Sequence, residues 1–175
     1  MARTKRLYRA DKRLFKREDA ITCAGEFDHL QNQNARQTTD FLDALRPAGF
    51  RRRLEYLMLF ESEECAKNYF VRMDSSERKL YEVEVLRDEI VHWGDMHLVD
   101  LINASFLRGE GPDPALAKRY WNSERTDQPC VEVLVPAGKV IRQIVVRPAD
   151  AARRLKRQYP ELYAEMRAKA GVPPE

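Results

Sequence analysis

The chain has 175 residues, 43% hydrophobic and 34% charged, which excludes a disordered or low-complexity protein and describes one domain, 1–175, with a packed core. Its three cysteines, at positions 23, 65 and 130, suit neither a disulfide framework nor a zinc site, and no apolar run reaches the length of a membrane span. The net charge of +3 hides clustering: Arg3, Lys5, Arg6, Arg9, Lys12, Arg13, Lys16 and Arg17 crowd the start, and Arg51-Arg52-Arg53 and Arg153-Arg154-Lys156-Arg157 add further basic blocks, a distribution suited to a polyanion.

In chain order, Lys5–Ala10 reads as a short first strand, with Leu7 and Arg9 on one face and Tyr8 on the other. A charged turn follows to Glu18. The basic start lacks the apolar core of a signal peptide, so the expected compartment is the cytoplasm. Residues 24–49 are polar with no strand pattern, and a short helix is expected from Thr38 or Thr39 to Pro47. Leu54–Phe60 reads as a strand, and Ser62 as the cap of a helix carrying Ala66, Tyr69 and Phe70. Lys79–Leu86 alternates strictly and is a strand. Asp95 caps a helix to about Leu107, and Asp113-Pro114 opens another through Tyr120-Trp121. Cys130–Val135 and Val140–Val146 are expected to form a hairpin about Gly138-Lys139, followed by a helical segment, 149–171, broken at Pro160. Strands and helices in this order make an α+β domain with its core at about 5–146.

Glu132 lies in the middle of an otherwise apolar strand. A carboxylate there either points to solvent from a half-exposed strand or faces a cleft and is kept for chemistry. Familiar nucleotide and hydrolase signatures are missing: there is no GxGxxG, GxxxxGK[ST], GxSxG or HExxH.

Three stretches together resemble the motifs of the ADP-ribosyltransferase family. Tyr8-Arg9-Ala10 resembles its first-strand motif, Leu57–Ser62 with Ala66–Phe70 resembles its strand-helix motif, and Val131–Val135 resembles its late strand with a glutamate. The Ser-Thr-Ser triplet of many members is lacking, and Cys130 stands where protein-arginine-modifying members carry a second acid or glutamine. The resemblance implies a split mixed or antiparallel β-core with flanking helices, NAD as co-substrate and no metal. It further implies Glu132 as catalytic acid with Tyr69 and Arg9 assisting, and Tyr8, Arg9, Phe60, Ser62 and Tyr69 holding NAD. A glutamate suits such chemistry because cleavage of the nicotinamide–ribose bond builds positive charge on the sugar.

The basic blocks and the aromatics Tyr56, Tyr120 and Trp121 suit RNA or single-stranded DNA as acceptor. Small family members include toxins paired with an antitoxin, so an antitoxin partner is a further expectation of the resemblance, while a protein or small-molecule acceptor stays open. The 24–53 stretch is where acceptor choice is expected. Two other readings compete. One is a metal-free ribonuclease built from Glu132, Arg9 and His92 or His97. The other is a non-catalytic nucleic-acid-binding module.

Overall fold

The computed structural model describes residues 2–23, 33–72 and 78–169. The strands are β1 (Thr4–Asp11), β2 (Ala20–Thr22), β3 (Leu57–Phe60), β4 (Lys79–Leu86), β5 (His92–Asp95), β6 (Val131–Val135) and β7 (Ala137–Ile144). The helices are α1 (Gln33–Ala44), α2 (Glu63–Arg72), α3 (Met96–Leu107), α4 (Pro114–Trp121), α5 (Pro148–Gln158) and α6 (Pro160–Lys169). The fold is α+β, and the strands make one seven-stranded sheet in the order β2-β7-β4-β1-β3-β6-β5, curled into a half-barrel. Every strand pairing described is antiparallel, so the mixed alternative falls away.

The sheet has a seam. β1 and β4 pair along their whole lengths, from Thr4↔Leu86 to Asp11↔Lys79, whereas β1 and β3 meet only at Tyr8↔Phe60. A four-strand half and a three-strand half thus join at one register position.

The expected hairpin between the last two strands does not form. β6 pairs with β3 and β5, and β7 pairs with β4 and β2. Only Pro136 separates β6 from β7 in sequence, yet three strands lie between them in the sheet. In a flat sheet that gap would be roughly 19 Å, far beyond one residue's reach. The curl brings the two strand ends together, and the chain crosses from one half to the other at a proline that needs no ladder donor. Gly138 is therefore a strand residue rather than a turn; a Cβ there would meet Val83 Cγ1 at 2.5 Å.

Other boundaries differ from expectation for local reasons. α1 starts at Gln33 rather than Thr38, because its polar first turn carries no apolar stripe, and its buried face begins with Thr38 and Thr39. Leu54 belongs to a 3-10 turn, Arg53–Glu55, ahead of β3. β2 and β5 are short and were not anticipated. The end of the expected C-terminal helical segment at Gly171 lies outside the described residues.

The inner face of the curl packs Leu7, Leu57, Leu59, Val83, Val133, Val135 and Val140, all essentially fully buried, and each of these contributes roughly 1.5–3 kcal/mol. The outer face carries two helical layers. α2 and α5 cover one half through Phe60, Phe70, Leu80 and Leu155, and α1, α3 and α4 cover the other through Leu42, Leu98, Ile102, Tyr120 and Leu134. Among the described residues, no helix is long and apolar enough to cross a membrane.

Candidate active site

The strand register lines up residues that are far apart in sequence. Glu82, Tyr8, Phe60, Glu132 and Gly94 are successive partners across β4, β1, β3, β6 and β5, so they share the outer, helix-covered face. The row crosses the seam at Tyr8 and Phe60. Tyr69, on the second turn of α2, packs on Phe60 with ring centroids 5.0 Å apart. Four of the sequence-derived candidates, Tyr8, Phe60, Tyr69 and Glu132, therefore converge.

Glu132 is 2% exposed and does not point to solvent. Arg53 grips it with both arms of its fork: Nε donates to Oε1 at 2.7 Å and Nη2 to Oε2 at 2.8 Å. The Tyr120 hydroxyl donates to Oε1 through a very short bond, and Arg53 Nε also reaches that hydroxyl at 3.2 Å. Such a carboxylate is held at a fixed place and orientation by two donors on different elements. Burial pulls Arg53 down, but the Glu132 carboxylate and Tyr120 outweigh it and hold the guanidinium above its ordinary range. Burial, reinforced by Glu132, pushes the Tyr120 phenol well up, so it stays a donor at neutral pH.

The scaffold around the trio has identifiable causes. Arg53 sits in its 3-10 turn with its backbone N–H bonded to Asp43 Oδ1 at 2.9 Å, at the end of α1. Tyr120 can lie against the sheet because the strand partner of Glu132 is Gly94; a Cβ there would overlap the Tyr120 ring. Asp95 caps α3 through His97 N–H at 3.0 Å, and also accepts from Thr126 N–H and from Cys130 N–H at 3.1 Å, tying α3 to the entry of β6.

A cleft of about 380 Å³ opens between α2 and the α3 side, lined among others by Phe60, Tyr69, Met96, Asp100, Cys130 and Tyr159. Glu132 lies one side chain behind its wall: Arg53 Nη2 touches Met96 Sδ at 3.3 Å, and Phe60 is the register partner of Glu132. Burial raises the Tyr69 phenol; Arg53 opposes that shift and Glu132 adds to it, so the cleft-lining tyrosine feels both charges.

Arg9 is not brought to this face. It lies on the inner face between Leu7 and Asp11, with Nε donating to Asp11 Oδ2 at 2.7 Å and Nη1 to the Met58 carbonyl at 2.7 Å. Arg13 completes that cluster, with Nη2 reaching Asp11 and the Thr22 carbonyl, each at 2.9 Å. Ser62 is exposed and caps α2, its Oγ accepting from Cys65 N–H at 3.0 Å. His92 shares the face of Glu132 but is 4% exposed, enclosed by Phe50, Tyr120 and Trp121, and its Nε2 has no hydrogen-bond partner among the described residues. His97 is exposed on α3, its Nδ1 3.2 Å from Thr126 Oγ1.

Arg53 is the residue the sequence hid. It stood as one of three consecutive arginines that read as surface charge, and only Arg51 and Arg52 are exposed. Its one signal was indirect, since a glutamate inside an apolar strand demands a cation without naming it. The C-terminal basic block is largely engaged: Arg153 pairs with Asp150, and Arg154 and Arg157 pair with Glu64. Part of the expected acceptor-selecting stretch, 24–32, lies outside the described residues.

No protein-family model matches the chain, and a search of curated proteins finds no relative.

Proposed function

We propose that the chain is an NAD-dependent mono-ADP-ribosyltransferase whose acceptor is RNA or single-stranded DNA, with nicotinamide as the leaving product. The observation that carries the reading is the row Tyr8–Phe60–Glu132 with Tyr69 stacked on Phe60, at the seam between the sheet halves. The row and its stacked tyrosine draw on all three stretches that resemble the family's motifs: Tyr8 on the first, Phe60 and Tyr69 on the second, Glu132 on the third. The seam itself is what a split β-core of that family would place there.

In this reading Glu132 stabilises the positive charge that develops on the ribose as the nicotinamide bond breaks, an electrostatic role. Tyr69 and Phe60 offer the nicotinamide an aromatic wall in the cleft. Arg53 takes the role sequence assigned to Arg9: its fork fits a pyrophosphate as well as a carboxylate. Because Glu132 is closed off by Arg53, NAD has to part that pair before the carboxylate reaches the sugar. Lys16, Arg51 and Arg52 are exposed cations that can attract a polyanionic acceptor.

Labelled NAD is incubated with RNA, single-stranded DNA or cell protein, using the wild type and Glu132→Gln, with a thermal melt of both to show that each is folded. Transfer to nucleic acid that falls about 100-fold or more in the folded variant supports the proposal. Transfer to protein alone keeps the reaction and changes the acceptor. No label and no nicotinamide release from the wild type would overturn it and leave Glu132 with a structural role, which its complete internal pairing also suits.

A further inference from the structure

The cleft wall carries two thiols that the proposed reaction does not use. Cys65 lies in the first turn of α2 and Cys130 immediately before β6; both are half-buried, both line the cleft, and neither is in a disulfide. The two side chains lie near enough that each shifts the ionisation of the other. Cys65 Sγ also lies 3.9 Å from the carbonyl oxygen of Pro129, the residue bonded to Cys130. Both backbones are pinned: Cys65 N–H to Ser62 Oγ at 3.0 Å, Cys130 N–H to Asp95 Oδ1 at 3.1 Å, and the Cys130 carbonyl to Met96 N–H at 2.9 Å.

We propose that Cys65 and Cys130 form a dithiol–disulfide site in the cleft, with Cys65 the thiol that meets a peroxide and Cys130 the thiol that resolves the product. The surroundings divide the roles. The neighbouring Cys130 thiol, helped by Ser62 and the Val131 amide, outweighs burial and lowers Cys65 to about 6, so it is a thiolate at neutral pH. The same proximity, reinforced by burial, raises Cys130. Asp95 and Asp100 face the pair from β5 and α3 and act against ionisation, while Glu64 and Arg72 line the same cleft from α2.

The electron balance closes with hydrogen peroxide as oxidant. The Cys65 thiolate attacks one peroxide oxygen, the O–O bond breaks, and the departing hydroxide takes a proton to become water, leaving a sulfenic acid on Cys65. Cys130 sulfur then attacks the Cys65 sulfur, its proton leaving with the sulfenic hydroxyl as a second water. Two thiols and one peroxide become one disulfide and two waters. The new bond would fasten α2, four residues ahead of Tyr69, to the entry of β6, two residues ahead of Glu132, and so stiffen the cleft wall.

The test uses the full chain and does not depend on any NAD activity. Iodoacetamide labelling across pH, read by peptide mass spectrometry, should give Cys65 a midpoint near 6 and Cys130 little labelling at neutral pH. Peroxide should yield an intramolecular cross-link between the Cys65 and Cys130 peptides that dithiothreitol reverses. In Cys130→Ser, Cys65 should stop at a sulfenic acid that dimedone traps. The inference is overturned if wild-type Cys65 titrates in the ordinary thiol range of about 8–9. It is equally overturned if peroxide joins Cys65 to Cys23 or to a second chain, or if Cys65 stays reduced.

Discussion

A carboxylate removed from water is costly until it is paired, and Glu132 is paired twice, by a bidentate guanidinium and a phenol. Removing one partner should therefore hurt more than replacing both. Arg53→Met leaves Glu132 buried with Tyr120 alone and should cost about 3–5 kcal/mol in urea unfolding. The double variant Arg53→Met/Glu132→Leu fills the same space with apolar groups and should recover most of that loss. Costs that simply add in this double-mutant cycle would show that the two side chains are not coupled. Under the proposed function, a double variant that stays stable and lacks any nicotinamide release of the wild type would have lost chemistry rather than fold. At this scale the sequence pointed to some of the residues that the fold brings together and not to others. Glu132 showed as a charge in an apolar strand, and Phe60 and Tyr69 by their place in a strand-helix stretch that resembles a family motif, whereas the places of Arg53 and Arg9 were hidden for one shared reason. Sequence shows that a residue is charged, but which of many arginines enters the core depends on a non-local contact such as Arg53 to Glu132, across 79 positions.

Elements with their own signals were readable, and those defined by a neighbour were not. β4 alternates strictly, α3 has Asp95 as cap, and α4 has Asp113 accepting from Ala115 N–H at 2.8 Å with Pro114 next to it; all three fall where the sequence puts them. β2 buries only Ile21, and β5 is four residues with a glycine among them, so neither carries a pattern of its own. Each is a strand because β7 or β6 lies beside it. The missing hairpin has the same cause: β6 and β7 look like neighbours locally, but each finds its partners elsewhere in the sheet. β5 also shows how one short element can set the site, through Gly94 beneath Tyr120 and Asp95 at the α3 cap. Gly94→Ala should displace the Tyr120 ring and cost about 1–3 kcal/mol by overpacking. It should also lower any nicotinamide release, because the phenol no longer reaches Glu132. Asp95→Asn keeps the cap shape but turns one acceptor oxygen into a donor group facing N–H donors, and should cost about 1–3 kcal/mol. A melting temperature unchanged in both variants would mean that β5 does not set the position of α3 and α4.

Over the whole molecule, the half-barrel is closed by one residue at Pro136 and joined at one register position at the seam, so its two halves are anchored by separate polar features. At one end Asp11 binds Arg9 and Arg13, and Arg13 carries the link to β2. At the other end His92 sits neutral among the aromatic rings of the α4 side. These two groups answer acid in different windows. Burial lowers His92 from its ordinary 6.5, with Glu132 opposing and Arg53 assisting, so as pH falls below 6.5 the unfolded chain takes a proton that the folded one refuses. Stability then drops with a slope of up to about 1.4 kcal/mol per pH unit until the folded imidazole is itself protonated. Asp11 is shifted the same way, below its ordinary value, and so acts in the same direction on stability, but from a different cause. Burial would raise it, yet Arg13 and Arg9 prevail and hold it at about 2, so its contribution is complete above 3.8 and is lost as pH falls towards 2. Asp95, also lowered by its N–H donors against burial, adds to this lower window. Urea unfolding at successive pH values should therefore show two separate declines. His92→Phe should flatten the one below 6.5 and leave the lower one in place. Asp11→Asn, less stable at every pH above 3.8, should flatten part of the lower decline and leave the upper one. If His92→Phe unfolds with the wild-type pH slope between about 6.5 and 5, another group carries that decline and the neutral core histidine is not the acid-sensitive element of the α4 half.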